Sequence, residues 1–331
     1  MPQCGGKACV TLRAVFRLGR VALHLAGGLC MVTLVYPCIT PGQRLALKQR
    51  WSRHLLNALG VALKVPAGTH RAGVDEATAL QGGRAKNTLM KPLRSRTVEQ
   101  NTLSSSLRIL AVADGDMVTQ TVLPAGMLVA NHISFLDIFV INAWAPAAFV
   151  AKDEVKKWPL VGWLSQRTDT IFLQRGSRQA AHAAHLHLVE KLRAGTRVAI
   201  FPEGTTSDGH TVQPFHSALL QSAIDAAVPL LPLALRYLDA QTHQPSHAAD
   251  YVGEMSLLEC LWSIASSQNL VAQLAPLPAI TSAGADRRHL AAYAHRVVAH
   301  HLLHALNPNP SASPAAHTAD ETPAGLPVVP Q

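Results

Sequence analysis

A histidine and an aspartate stand five apart in VANHISFLDIF, residues 129–139, at the end of an apolar run. Acting together, His132 and Asp137 would form a proton-transfer device. The carboxylate accepts a hydrogen bond from one ring nitrogen, fixes the tautomer and leaves the other nitrogen as a general base near neutral pH. On one continuous helix, side chains five apart point about 140° away from each other, so this contact needs a turn. The pattern supplies it: MLVAN reads as a strand, Ser134 and Asp137 form the Ser-x-x-Asp signature of a capped helix start, and His132 falls between the two. Spacing by itself decides nothing, because His70 and Asp75 in HRAGVD repeat it in a polar stretch. For the motif in isolation, a capping aspartate beside an ordinary turn histidine is the simpler account.

Ser134 does not read as a hydrolase nucleophile. It is two positions from His132, a spacing that does not align side chains on a helix, and the chain has no G-x-S-x-G elbow. A P-loop and a G-x-G-x-x-G fingerprint are also missing from the sequence. A second constellation, RVAIFPEGTTSDG, ends a strand with Glu203, Gly204, Thr205, Thr206 and Ser207. Glycine allows close backbone approach there, and the hydroxyls and amides suit an anionic or hydroxylated group; an ordinary turn is the alternative. In IFLQRGSR, Arg175 follows a strand and could hold a phosphate bidentately.

The five cysteines show no zinc or thioredoxin spacing and read as reduced thiols. The seventeen histidines, including HAAHLHL and HRVVAHHLLH, have no carboxylate or cysteine partners at ligand spacing. They read as helix-surface residues, with no metal and no cofactor.

These residues must be positioned by something. Short apolar runs (LRILAV, MLVAN, AFVAK, TIFLQ, RVAIFP, LLPLALRY, LVAQLAP) alternate with helical patterns near 134–144, 156–167, 177–194, 215–227, 255–266 and 285–306. That alternation predicts an α/β fold with a mostly parallel sheet flanked by helices, whose sites gather where strands end. The unit is expected over 107–306. Before it, 66–106 is polar and Gly/Ser-rich and reads as a linker or disordered insertion, and 307–331 is a Pro/Ala/Ser-rich disordered tail.

Residues 1–65 carry nine Lys or Arg and no acid, within a chain of net charge +9. Val21 to Ile39 would reach about 28 Å as a helix, just enough to cross a bilayer core. Cations flank this segment on both sides, so cleavage as a signal peptide is not expected and orientation is not set. The following QRLALKQRWSRHLLNALGVAL mixes cations with Leu, Trp and Val as an interfacial helix does. Residues 1–65 thus read as a membrane-associated helical hairpin. Nucleic acid is not the expected partner, since the basic residues interleave with aliphatics rather than stacking aromatics.

The ordered set NHISFLD, IFLQR, FPEGTTS and VPLLPLAL resembles the four motifs of the lysophospholipid acyltransferases, the family of bacterial 1-acyl-glycerol-3-phosphate acyltransferases. The match spans roughly residues 107–240. It implies an enzyme in which His132 deprotonates an acceptor hydroxyl and Asp137 orients the ring. The hydroxyl then attacks the thioester of acyl-CoA or acyl-carrier protein directly. By the same resemblance Arg175 binds the acceptor's phosphate, and Glu203, Gly204, Thr205 and Ser207 shape that pocket. Lys152 matches a lysine near the site, and Pro229 and Pro232 are packing and acyl-pocket residues. The implied location is the bacterial inner membrane, with the catalytic domain facing the cytoplasm. The third motif usually has Arg where this chain has Thr206, a departure shared with relatives that acylate lyso-ornithine lipid. A non-catalytic membrane lipid-binding protein is the competing class.

Overall fold

Met127, Leu128, Val129 and Ala130 are all buried, on both faces of the strand they form. An apolar run of this kind belongs at the centre of a parallel sheet covered on both sides. The computed structural model describes residues 7–66, 124–158, 161–173 and 178–306. The expected strand LRILAV, most of the 66–106 linker, Arg175 and the 307–331 tail lie outside the described residues.

Among the described residues, seven strands form the sheet: β1 (Ala62–Lys64), β2 (Met127–Ala130), β3 (Ala148–Lys152), β4 (Ile171–Leu173), β5 (Val198–Ile200), β6 (Leu230–Asp239) and β7 (Leu270–Pro276), in the order β1-β7-β6-β2-β5-β3-β4. β6, β2, β5, β3 and β4 run parallel, with Val129 opposite both Ile200 and Pro232. β7 returns antiparallel to β6, and β1 lies parallel to β7. The C-terminal ends of β2 and β5 therefore lie side by side at one edge, with β6 continuing past them to Asp239, and ligands bind at such an edge in open α/β sheets.

The helices are α1 (Lys7–Cys30), α2 (Pro41–Leu59), α3 (Asp137–Trp144), α4 (Val161–Arg167), α5 (Arg178–Arg193), α6 (Gln221–Ala226), α7 (Leu257–Ser266) and α8 (Arg287–Leu306). Leu128 and Ala130 point into a core shared with α1, α2, α3 and α7, whereas Met127 and Val129 point into one shared with α5, α6 and α8.

Where sequence and structure differ, local chemistry explains it. The interfacial helix read to residue 63 stops at Leu59, because Gly60 takes a left-handed turn at φ 74°, and the next residues become β1. Its start agrees with its sequence: Thr40 and Gln43 form a capping box ahead of Pro41. The 156–167 pattern divides into a 3₁₀ turn, Asp153–Lys157, and α4; the 215–227 pattern shrinks to α6.

The N-terminal cations hold the fold. Arg17 donates to the carbonyls of Ala265 (3.1 Å) and Ser267 (2.7 Å), and Arg13 to Ser266 (3.1 Å), at the C-terminus of α7. Gln49 donates to Trp144 (2.7 Å) and Arg53 to Ala143 (2.8 Å), at the C-terminus of α3. Lys48 reaches the carbonyls of Ala147 (3.0 Å) and Thr168 (2.9 Å). Donors at helix C-termini satisfy orphan carbonyls, and positive charge there opposes the negative end of the helix dipole. α2 thus presents Lys48, Gln49 and Arg53 to the sheet domain. On α1, Leu12, Phe16 and Leu23 stay 71, 66 and 76% exposed.

Candidate active site

β2 ends at Ala130, and the chain turns through residues 131–136 into α3. The Asn131 side chain stands in for the ladder beyond the strand end, donating to the Leu235 carbonyl and accepting the Leu235 N–H, both at 2.8 Å. The turn then presents His132 opposite Asp137. Nδ1 of His132 lies 2.9 Å from Oδ2 of Asp137. The same oxygen accepts the backbone N–H groups of Ile133 (2.7 Å) and Ser134 (3.0 Å), and Oδ1 accepts the Tyr237 hydroxyl at 2.7 Å.

Asp137 is fully buried, so its charge is held by these four donors instead of water. The His132 side chain is 18% exposed. With Nδ1 engaged as donor, Nε2 keeps the lone pair. The ring stacks on Phe201 at 3.9 Å between centroids with 9° between planes.

The expected capping box at Ser134 does not form. Asp137 is the first residue of α3, not the fourth position of a box, and its carboxylate reaches back to the turn's own N–H groups. Ser134 is buried with its hydroxyl 3.9 Å from the Cys260 sulfur, which removes it as a nucleophile on structural grounds too.

Every backbone polar group of His132 and Ile133 has a partner, as a buried turn requires. Glu203 Oε1 accepts the His132 N–H at 2.7 Å, and its Oε2 accepts the Gln213 N–H at 2.8 Å. Ser207 N–H donates to the His132 carbonyl at 2.9 Å, and the Tyr251 N–H to that of Ile133 at 3.1 Å. Burial pushes the Glu203 carboxyl above its ordinary value, with the two N–H donors pulling the other way.

The structure thus brings His132, Asp137, Glu203 and Ser207 together. Glu203 and Ser207 are buried, and they brace the turn. Gly204, at φ 71°, and Thr205 are exposed on the loop after β5. The Thr206 hydroxyl donates to the Tyr251 carbonyl. Lys152 ends β3 with its side chain exposed. Tyr237, Phe201, Asn131 and Tyr251 escaped the sequence reading. Asn131 and Phe201 lay inside the quoted motifs NHISFLD and FPEGTTS without being given a role; Tyr237 and Tyr251 carried no local signal. Among the described residues, no group of three or more His, Cys, Asp or Glu side chains is placed to hold a metal ion.

Known proteins share this organisation. Residues 117–236 match the Acyltransferase family model. The chain is 43% identical over 151 residues to the 1-acyl-sn-glycerol-3-phosphate acyltransferase of Neisseria gonorrhoeae, covering 44% of this chain and 57% of that one. It is 37% identical over 170 residues to the lyso-ornithine lipid O-acyltransferase of Pseudomonas aeruginosa, covering 51% and 65%. The chain therefore spans less than two thirds of the length of these two relatives. The crystal structure of the 1-acyl-sn-glycerophosphate acyltransferase PlsC from Thermotoga maritima superposes with a TM-score of 0.54 at 18% identity, over 90% of this chain and 96% of that one, and shows the same fold.

Proposed function

We propose that this chain, whose segment 117–236 belongs to the acyltransferase family, moves a fatty acyl group from the thioester of acyl-CoA or acyl-carrier protein to the free hydroxyl of a lysolipid. The observation that carries the reading is the 2.9 Å contact of His132 with a buried Asp137 across the turn, where the parallel strands β2 and β5 end. Nε2 of His132 takes the acceptor's hydroxyl proton as the oxygen attacks the thioester carbonyl. An ester C–O bond forms, the C–S bond breaks, and the proton passes to the departing thiolate. Asp137 holds the ring and stabilises the transient imidazolium, so His132 and Asp137 are the catalytic pair. No cofactor beyond the acyl donor enters this scheme.

The acceptor in this reading is 1-acyl-sn-glycerol-3-phosphate, with phosphatidic acid as product, as the name of the Neisseria relative suggests. Arg175 would bind the phosphate, with Glu203, Gly204, Thr205 and Ser207 shaping the pocket and Lys152 as a further substrate-binding residue. Lyso-ornithine lipid is the second reading. It is favoured by Thr206, a neutral side chain turned to the Tyr251 carbonyl, and by the name of the Pseudomonas relative.

The site would work at a membrane. Ala8–Cys38 is a helical run long and apolar enough to cross one, and Arg20, Arg50 and Lys64 remain exposed for anionic headgroups. The bacterial inner membrane, with the sheet domain on the cytoplasmic side, is the location we assign.

The test offers purified protein one labelled acyl thioester with a panel of lysolipid acceptors. Transfer to one of them, lost in His132→Ala, supports the reading. Transfer at the wild-type rate in His132→Ala overturns it.

A further inference from the structure

The two oxygens of Asp137 are occupied unequally. Oδ2 takes three donors, all from the 132–134 turn; Oδ1 takes a single phenol, that of Tyr237, from a strand 100 residues away in sequence. Tyr237 is 3% exposed. Burial and the Asp137 charge push its hydroxyl well above the ordinary tyrosine range, so it stays protonated and donates.

We propose that Tyr237 is a positioning residue for the His132–Asp137 pair: its hydroxyl, fixed on Oδ1, stops the carboxylate from rotating and draws off part of its charge, which sets how tightly His132 holds a proton. The inference rests on the base role given to His132 above. A carboxylate tethered at one oxygen alone could turn about its Cβ–Cγ bond and carry the imidazole with it. Tethered at both, it is a fixed rest for Nδ1. A donor into Oδ1 also spreads the negative charge, weakening the attraction between the carboxylate and an imidazolium. Removing it would let the ring stay protonated to higher pH and so block the base.

The ionisable groups facing the pair come from every element around it. Glu203, from the loop after β5, is bound to the His132 N–H. Cys260, from α7, has its thiol pushed up to about 11 by burial and is neutral. Asp250, from the segment before α7, is held by His247 at 2.7 Å. None of these donates to Asp137, so replacing the Tyr237 hydroxyl alters one hydrogen bond and leaves theirs in place.

Tyr237→Phe keeps the ring and deletes the donor. In a folded variant, kcat is expected to fall roughly tenfold with KM nearly unchanged, and the acid limb of the pH–rate profile to move up by about one unit. The His132 ring titration followed by NMR, assigned against His132→Ala, should move the same way and needs no turnover to be read. Placing 3,5-difluorotyrosine at 237 strengthens the donor and should move the titration down, which covers the case of a phenylalanine variant that does not fold. A ring titration unmoved by either replacement overturns the inference. A titration that moves in a protein with no acyl transfer to any acceptor supports the positioning role and instead sinks the transferase reading.

Discussion

Glu203 reaches His132 through the backbone: one carboxylate oxygen receives the His132 N–H at 2.7 Å while the other receives the Gln213 N–H at 2.8 Å. The glutamate links the turn that carries His132 to the loop that follows β5, and it needs two acceptor atoms to do so. Glu203→Gln would set an amide NH₂ against one of the two N–H groups. We expect a loss of about 1–3 kcal/mol of stability at neutral pH together with reduced activity. The pH dependence has a definite sign. Burial raises the folded-state pKa of Glu203, so the native protein binds more protons than the unfolded chain between the ordinary carboxyl value and the raised one. This group's contribution to stability therefore falls as pH rises through that window. Denaturant unfolding of the wild type minus Glu203→Gln, as a function of pH, should show the fall; a flat difference would contradict it.

Asp137→Asn should cost more in rate than in structure. The amide can keep the N–H donors of Ile133 and Ser134 on its oxygen only by turning its NH₂ toward the Tyr237 hydroxyl, which must then rotate to accept. Without the negative charge, nothing stabilises a developing imidazolium. Turnover should drop roughly 10²–10⁴-fold, the range of a general-base contribution, with circular dichroism unchanged. Wild-type kcat in this variant would show that the ring works unaided.

Lys48 offers a test away from the reaction. Burial lowers its pKa from 10.5 to about 8, although its ammonium donates to two carbonyls. Its folded value is depressed, so the unfolded chain binds the extra proton between these two values and stability from this group rises with pH across that window. Lys48→Met removes the rise and leaves the Ala147 and Thr168 carbonyls without this donor, a cost of about 1–3 kcal/mol at pH 7. Chemical unfolding at pH 7, 8 and 9.5 separates the two effects.

The exposed face of α1 gives the membrane prediction. Leu12 and Phe16 lie one turn apart and bury little against the protein. Leu12→Asp with Phe16→Asp should weaken flotation with anionic vesicles at least tenfold, since each side chain contributes roughly 1.5–3 kcal/mol when taken from water. Unaltered flotation would place the bilayer contact elsewhere.

Strands β2 to β7 and the His132–Asp137 contact were legible because both depend on local pattern: period, a turn, and a carboxylate just beyond it. Distant partners were not. Nothing near Arg13 or Arg17 points to carbonyls 248–253 positions further on, so these cations read only as part of a basic, membrane-associated segment when they hold the end of α7. Tyr237 is equally silent, an aromatic on a buried strand whose hydroxyl finds Asp137 only after folding. Ser134 misled in the other direction: the capping signature was present, but the carboxylate satisfied the turn's N–H groups first. β1 was hidden by an apolar stretch that continues α2 in composition and departs from it only at Gly60.

The clamp of Gln49 and Arg53 on α3 joins the N-terminal helices to the turn that carries His132 through one continuous run of contacts. α3 is eight residues long, about 12 Å, with Asp137 at one end and the gripped Trp144 at the other. On the membrane reading proposed above, a pull on α1 and α2 would be felt along this short helix at Asp137. Trimming the chain back to residue 66 would remove the grip on Trp144 and Ala143 along with α1 and α2.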